Sequence, residues 1–347
     1  MQPNESSPAG RSLWKSIRHR GEWLVVRSVA WLVPRLPRPW CHFGADVAGT
    51  LAAFVHVSGR RVAMSNLEVA FGDKLTTGQR AELVRQSYRY FCRGMADLYW
   101  SSRLTRDNLH EFIDLGDLEN LRAAGSERGY IFACLHYGSY EWIAIVLGLC
   151  GIECTAVAQS FKNPLLTDIF ARLREASGQK LIPRQGALLR AFKALVRQRS
   201  AFMAVDLTVS AKLPSVPIVC FGLQKCVTLA PAWLHQRTGA PVIPIYCEPL
   251  PGGRNRLVVC PALDVPPGAS QQEIAQALWD CCEPVIRRNP APWLWMYKHW
   301  RYRPPHAARS YPDYANESPH FRKLLARMEK EEAAAVGEGS PAPGAAG

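Results

Sequence analysis

Ile131-Phe-Ala-Cys-Leu-His136-Tyr-Gly-Ser-Tyr-Glu141-Trp142 is the stretch on which the fold turns. A short apolar run ends on a histidine, Gly138 and Ser139 make a tight turn, and apolar residues resume in Ile143-Ala-Ile-Val-Leu147. The pattern predicts a buried strand, then a helix whose first turn carries Glu141. The turn brings His136 and the acid five positions later to one edge of a sheet. An imidazole beside a carboxylate there is the equipment of a general base. A second acid, Asp206, closes the run Ala201-Phe-Met-Ala-Val205 and emerges at the same edge if the two strands are parallel. A carboxylate on the second ring nitrogen fixes the tautomer and stabilises the imidazolium. Both Glu141 and Asp206 are candidates for that place.

Further short, β-rich apolar runs lie at Cys154–Gln159, Val216–Phe221, Val242–Tyr246 and Arg256–Val259. Helical stretches at 118–124, 141–149, 164–176, 186–198, 228–238 and 271–288 separate most of them. Alternation of this kind predicts an α/β core over 116–310, a mixed sheet covered by helices. Ahead of it, 1–22 reads as a basic flexible arm and 23–115 as an N-terminal helical region. That region holds helices at 23–33 and 42–57 around the prolines 34, 37 and 39, a connector at 60–71, and an amphipathic helix at 76–100 with Thr77 as cap. A helical extension at 311–337 and a Gly/Ala/Pro/Ser tail at 338–347, expected to be disordered, complete the chain.

The segments Trp23–Val33 and Phe43–Val57 fall short of the roughly 20 apolar residues that cross a bilayer. Arg27, Arg35, Arg38, Trp31 and Trp40 lie in and between them, which suits helices lying in a membrane interface. A pair of buried core helices is the other reading, and the two are compatible. No cleavable signal peptide is expected.

Across 347 residues the net charge is +13, from 42 Lys and Arg against 29 Asp and Glu, which favours anionic partners. Zinc-finger, RNP-type and basic-zipper patterns are missing, so nucleic acid is not among those expected. Eleven cysteines without repeated spacing indicate neither a disulfide framework nor a metal site. The chain lacks G-x-S-x-G, G-x-G-x-x-G and P-loop motifs, which argues against a serine hydrolase and a nucleotide enzyme. A base without its own nucleophile implies that the substrate brings one, such as a hydroxyl.

Taken together, the motifs resemble the bacterial lipid A late acyltransferases, within the lysophospholipid (glycerolipid) acyltransferase superfamily. The resemblance covers roughly residues 15–305. Arg61-Val-Ala-Met-Ser-Asn66-Leu67-Glu-Val-Ala70-Phe71 is similar to the family's R-x4-N-L-x2-A-F stretch. The His136-x4-Glu141 box follows, then Lys162-Asn163-Pro164-Leu165-Leu166 with Arg172 and Gly178 downstream. Ile182-Pro-Arg184, Asp206, Pro217 through Phe221-Gly222 with Thr228, and Pro292-Trp293-Leu294-Trp295 complete the order. Two places depart from it: Leu207 stands where the family usually has Gln, and Trp295-Met-Tyr-Lys298-His299 keeps only part of a W-x-H-R-R stretch. Those departures bear on the acceptor more than on the chemistry.

The resemblance implies an α/β acyltransferase of the lauroyl or myristoyl type, held peripherally or monotopically on the cytoplasmic face of the inner membrane by its N-terminal region. It implies acyl transfer from acyl-acyl carrier protein to a hydroxyl of a lipid A precursor or related anionic glycolipid, without an acyl-enzyme. An acyl-CoA donor and another glycolipid or aminolipid acceptor are the alternative. No cofactor is implied beyond the thioester co-substrate. Carried over, His136 is the base, with Glu141 or Asp206 orienting it. Lys162, Asn163, Arg172 and Arg184 are substrate-binding candidates, and Phe221 and Gly222 shape a pocket.

Overall fold

A computed structural model describes residues 8–127, 129–158, 161–305, 307 and 309–338. Four helices come first: α1 (Pro8–Leu32), α2 (Arg38–Val55), α3 (Val57–Phe71) and α4 (Thr77–Trp100). Short elements α5 (Leu109–Phe112), β1 (Ile113–Asp114) and α6 (Glu119–Ala124) lead into the core. There β2 (Ile131–Cys134), α7 (Glu141–Leu149), β3 (Cys154–Ala158), α8 (Pro164–Glu175), β4 (Lys180–Pro183), α9 (Ala187–Val196) and β5 (Ser200–Ala204) alternate. A hairpin of β6 (Ser215–Cys220) and β7 (Leu223–Thr228) precedes α10 (Ala230–Thr238), β8 (Val242–Pro249), β9 (Asn255–Val259) and α11 (Gln271–Arg288). The chain ends with β10 (Tyr302–Arg303), β11 (Asn316–Glu317) and α12 (Pro319–Glu338).

The main sheet runs β1-β9-β8-β2-β5-β3-β4, and its pairings are parallel except β8 with β9. Helices cover both faces, as parallel strands require. Along β2 the side chains alternate between layers. Phe132 and Cys134 pack with Trp142 and Ile143 of α7 and Phe170 of α8. Ile131 and Ala133 pack with Ala191 and Leu195 of α9 and Leu234 of α10. A second cluster joins the N-terminal helices to the hairpin and α11, through Leu67, Tyr88, Phe221, Trp279, Trp293, Trp295 and Trp300.

Several expectations need correction. The run at 216–221 is not in the main sheet: it pairs antiparallel with β7 as a separate hairpin against α11. The connector at 60–71 is helix α3, whose positions Val62, Ala63, Asn66, Leu67 and Ala70, all apolar but Asn66, are buried at helical spacing. Thr76, not Thr77, caps α4, in a reciprocal capping box with Gln79. Residues 8–22, assigned to the arm, form the first part of α1. Gln159 and the tail residues 339–347 lie outside the described residues.

Helix α2 serves two surfaces. Arg38, Cys41, Ala45, Gly49 and Ala53 are buried, while Trp40, Phe43, Val47, Leu51 and Phe54 are exposed. Its close approach to α4 depends on Gly49, where a Cβ would sit 2.6 Å from Arg89 Cα. Among the described residues, no helix is long and apolar enough to cross a membrane.

Candidate active site

Strands β2 and β5 are parallel neighbours with Cys134 opposite Ala204. His136 and Asp206 each stand two residues beyond that pair, so equal offsets set them side by side. Asp206 Oδ1 accepts from His136 Nδ1 at 2.8 Å. Its Oδ2 accepts from the His136 backbone N–H at 3.0 Å and the Trp293 indole at 2.8 Å. A carboxylate held on three donors fixes Nδ1 as the protonated nitrogen and leaves Nε2 free to take a proton.

Burial alone would favour neutral forms of both groups, but their mutual charge wins. Burial pushes the His136 pKa down; the Asp206 charge and hydrogen bond, with Glu141 behind them, outweigh it and raise it above 6.5. Burial pushes Asp206 up; His136, the Trp293 hydrogen bond and His299 outweigh it and hold its carboxyl far below the usual carboxylate range. Beneath the pair, the buried Lys225 ammonium donates to the Asp206 carbonyl at 2.8 Å and lies 5.0 Å from the Trp279 ring centroid. His299 stacks on Trp293 with centroids 3.9 Å apart, and burial with the nearby Lys225 pushes its pKa down to about 3.

The turn after β2 is tied down from two sides. Gly138 has φ +57°, and a Cβ there would lie 2.2 Å from the Cys247 carbonyl of β8. On the helical side, Asp97 of α4 takes two hydrogen bonds from Arg38 at 2.8 and 3.0 Å, one with His42 at 2.8 Å, and one from the Ser139 hydroxyl. The Trp142 indole donates to the Asp97 carbonyl at 2.7 Å.

Glu141 does not touch His136 through a hydrogen bond. It pairs with Arg174 of α8, at 2.8 Å from Nε and 2.6 Å from Nη2. Both line a cleft of about 1180 Å³ that opens over His136. Ala156, Val157, Leu181, Leu188, Phe202, Met203 and Leu229 make much of its wall apolar, with Arg184 also on the wall. That shape suits a long hydrocarbon chain beside a proton-accepting imidazole.

The other sequence candidates divide. Arg184 lines the cleft. Lys162 and Arg172 are exposed, and neither lines the cleft. Asn163 is the cap of α8: its Oδ1 accepts from Leu165 N, and its amide donates to the His19 carbonyl and the Glu22 carboxylate of α1. Phe221 and Gly222 are away from the cleft. They form the tip of the β6–β7 hairpin with φ +50° and +79°, between the paired Cys220 and Leu223. The Phe221 ring is buried among Trp279, Trp293, Trp295 and Trp300. This corrects the pocket expectation for both residues.

Sequence reasoning missed Arg174, Tyr140 and the support from Trp293, Lys225 and Asp97. Trp293 and Tyr140 lay within recognised boxes; nothing in the sequence marked Arg174, Lys225 or Asp97. Among the described residues, no group of three or more His, Cys, Asp and Glu side chains is placed to hold a metal ion.

The sequence model of the family described as bacterial lipid A biosynthesis acyltransferase matches residues 12–302. No curated protein matches the chain.

Proposed function

The chain belongs to the bacterial lipid A biosynthesis acyltransferase family, and from that premise we propose that it moves a fatty acyl chain from acyl-acyl carrier protein to a hydroxyl of a lipid A precursor or related anionic glycolipid. The observation that carries the proposal is the His136–Asp206 pair, 2.8 Å apart, in a largely apolar cleft. His136 Nε2 takes the proton of the acceptor hydroxyl, and the oxygen attacks the thioester carbonyl directly. Asp206 balances the imidazolium that forms. Collapse expels the thiolate, which takes the proton back from His136. No acyl-enzyme is involved, because the substrate hydroxyl is the nucleophile. Glu141 holds Arg174 at the cleft wall and adds negative charge near His136.

A carrier-protein donor is supported by the excess of positive charge, by Arg184 on the cleft wall, and by Arg190, Lys193 and Arg197, exposed on or just beyond α9. A place on the cytoplasmic face of the inner membrane is supported by the exposed apolar side chains of α1 and α2, among them Leu24, Trp31, Trp40, Phe43 and Phe54. The lauroyl or myristoyl length belongs to this proposal and is read out by the same experiment.

That experiment is mass spectrometry of lipid A from a Gram-negative strain lacking its late acyltransferases, complemented with wild type or His136→Ala. One added secondary acyl chain with wild type and none with the variant is expected, and the mass increment reports the chain length. No added chain with a stably expressed wild type overturns the acceptor.

A further inference from the structure

Attack on a thioester puts negative charge on the carbonyl oxygen, and that oxyanion needs a donor aimed at it. Several polar side chains on the cleft wall are already engaged with neighbours. Arg174 spends two N–H groups on Glu141. The Gln179 amide donates to the Ala144 and Ile152 carbonyls. The Thr208 hydroxyl donates to the His299 carbonyl, and the Tyr297 hydroxyl to the Thr208 carbonyl. Tyr140 lines the same cleft, and its ring stands edge-on to His136, with centroids 4.7 Å apart and planes at 66°. Its hydroxyl has no hydrogen-bond partner among the described residues.

We propose that Tyr140 is a second catalytic side chain, whose hydroxyl donates a hydrogen bond to the oxyanion of the tetrahedral intermediate. This rests on the acyl-transfer reading above, but on neither the identity of the thioester nor that of the acceptor. Burial and the adjacent Glu141 charge raise the Tyr140 pKa above its ordinary 10, so the donor stays protonated at neutral pH.

The step balances without a further reactant. The acceptor O–H proton goes to His136 Nε2 as the new C–O bond forms, and the carbonyl pair moves onto oxygen. That oxygen accepts the Tyr140 hydrogen bond, and the phenol keeps its proton. When the carbonyl re-forms, the C–S bond breaks and its pair leaves on sulfur. The sulfur takes the proton from His136, giving ester, thiol and the starting protein.

Tyr140→Phe keeps the ring against His136 and removes only the hydroxyl. The expected result, in full-length protein, is a fall in kcat of about 10²–10³-fold, the usual loss of one oxyanion donor. KM and the pH at which His136 loses its proton should not move. Binding of a thioether analogue of the donor, which forms no oxyanion, should equal wild type. A kcat within about threefold of wild type overturns the role, because a lost oxyanion donor costs far more. Weaker binding of the thioether also overturns it, since the hydroxyl would then be shaping the cleft. A wild type that transfers no acyl chain to any glycolipid hydroxyl withdraws the transferase reading, and this role with it.

Discussion

Glu141 and Arg174 face one another through two hydrogen bonds of 2.8 and 2.6 Å, although Glu141 is the acid nearest to His136 in sequence. The acid that holds the imidazole is Asp206, seventy residues away in sequence and one strand away in space. The two carboxylates therefore have separable jobs: Asp206 sets tautomer and charge, while Glu141 fixes a cation on the cleft wall.

Asp206→Asn should lower turnover at least about a hundredfold, because the amide cannot stabilise an imidazolium as a carboxylate does. Glu141→Gln should cost less in kcat and more in KM, because it loosens Arg174 without removing the partner of His136. Steady-state kinetics of the two variants decides the matter. Equal losses in kcat would mean that the carboxylates act as one unit.

The pH profile carries a sign. His136 must be neutral to accept a proton, and its pKa lies above 6.5, held up by Asp206 against burial. Activity should therefore rise with pH through a value above 6.5, and in Asp206→Asn that limb should move to lower pH. Stability has the opposite dependence. A group whose folded pKa is raised contributes fully below its unfolded value and loses that contribution as pH rises through its folded value. Wild type should thus exceed His136→Gln in stability by more at about pH 6 than at about pH 9, read from urea unfolding at both. A constant difference would mean that the His136 pKa is not raised on folding.

The reach of sequence reading follows from what each residue answers to. His136 and Asp206 were legible because an apolar strand that ends on a polar residue delivers it to the sheet edge, whatever lies around it. Arg174 was not. Arg172 and Arg174 sit two positions apart on α8, about 200° around the helix, so one faces the cleft and the other solvent. Only the packing of α8 on α7 chooses between them. Phe221-Gly222 were expected to shape a pocket only through the family resemblance. The same two residues suit a tight hairpin whose aromatic tip enters a cluster of four tryptophans. Lys225 could not be read as buried, since nothing local marks the Asp206 carbonyl as its partner.

The outer face of α2 supports a binding prediction. Trp40, Phe43 and Phe54 are 69%, 72% and 63% exposed on one helix whose opposite face is packed on α4. Burying each such side chain in a lipid interface contributes about 1.5–3 kcal/mol. Trp40→Ser/Phe43→Ser/Phe54→Ser should leave the circular dichroism spectrum unchanged and move the protein from the pellet to the supernatant in sedimentation with anionic vesicles. Undiminished pelleting would assign vesicle binding to another surface.

Asp97 links that helix to the turn that follows His136. Its carboxylate is buried, its pKa is held down by His42 and Arg38 against burial, and it receives Arg38 and His42 from α2 and Ser139 from the turn that carries His136. Asp97→Asn keeps the shape but leaves the buried Arg38 guanidinium without its countercharge. Breaking a buried pair in this way costs about 3–5 kcal/mol. Urea unfolding should show a loss of that order. Turnover should fall further than the fraction unfolded explains, because Ser139 and Gly138 no longer have a fixed support beneath His136. Ser139→Ala removes a single hydroxyl from the same cluster and leaves Arg38 paired, so its stability loss should be nearer about 1 kcal/mol. If Asp97→Asn proved as mild as Ser139→Ala, the charge on Asp97 would not be what holds α2 to the catalytic turn.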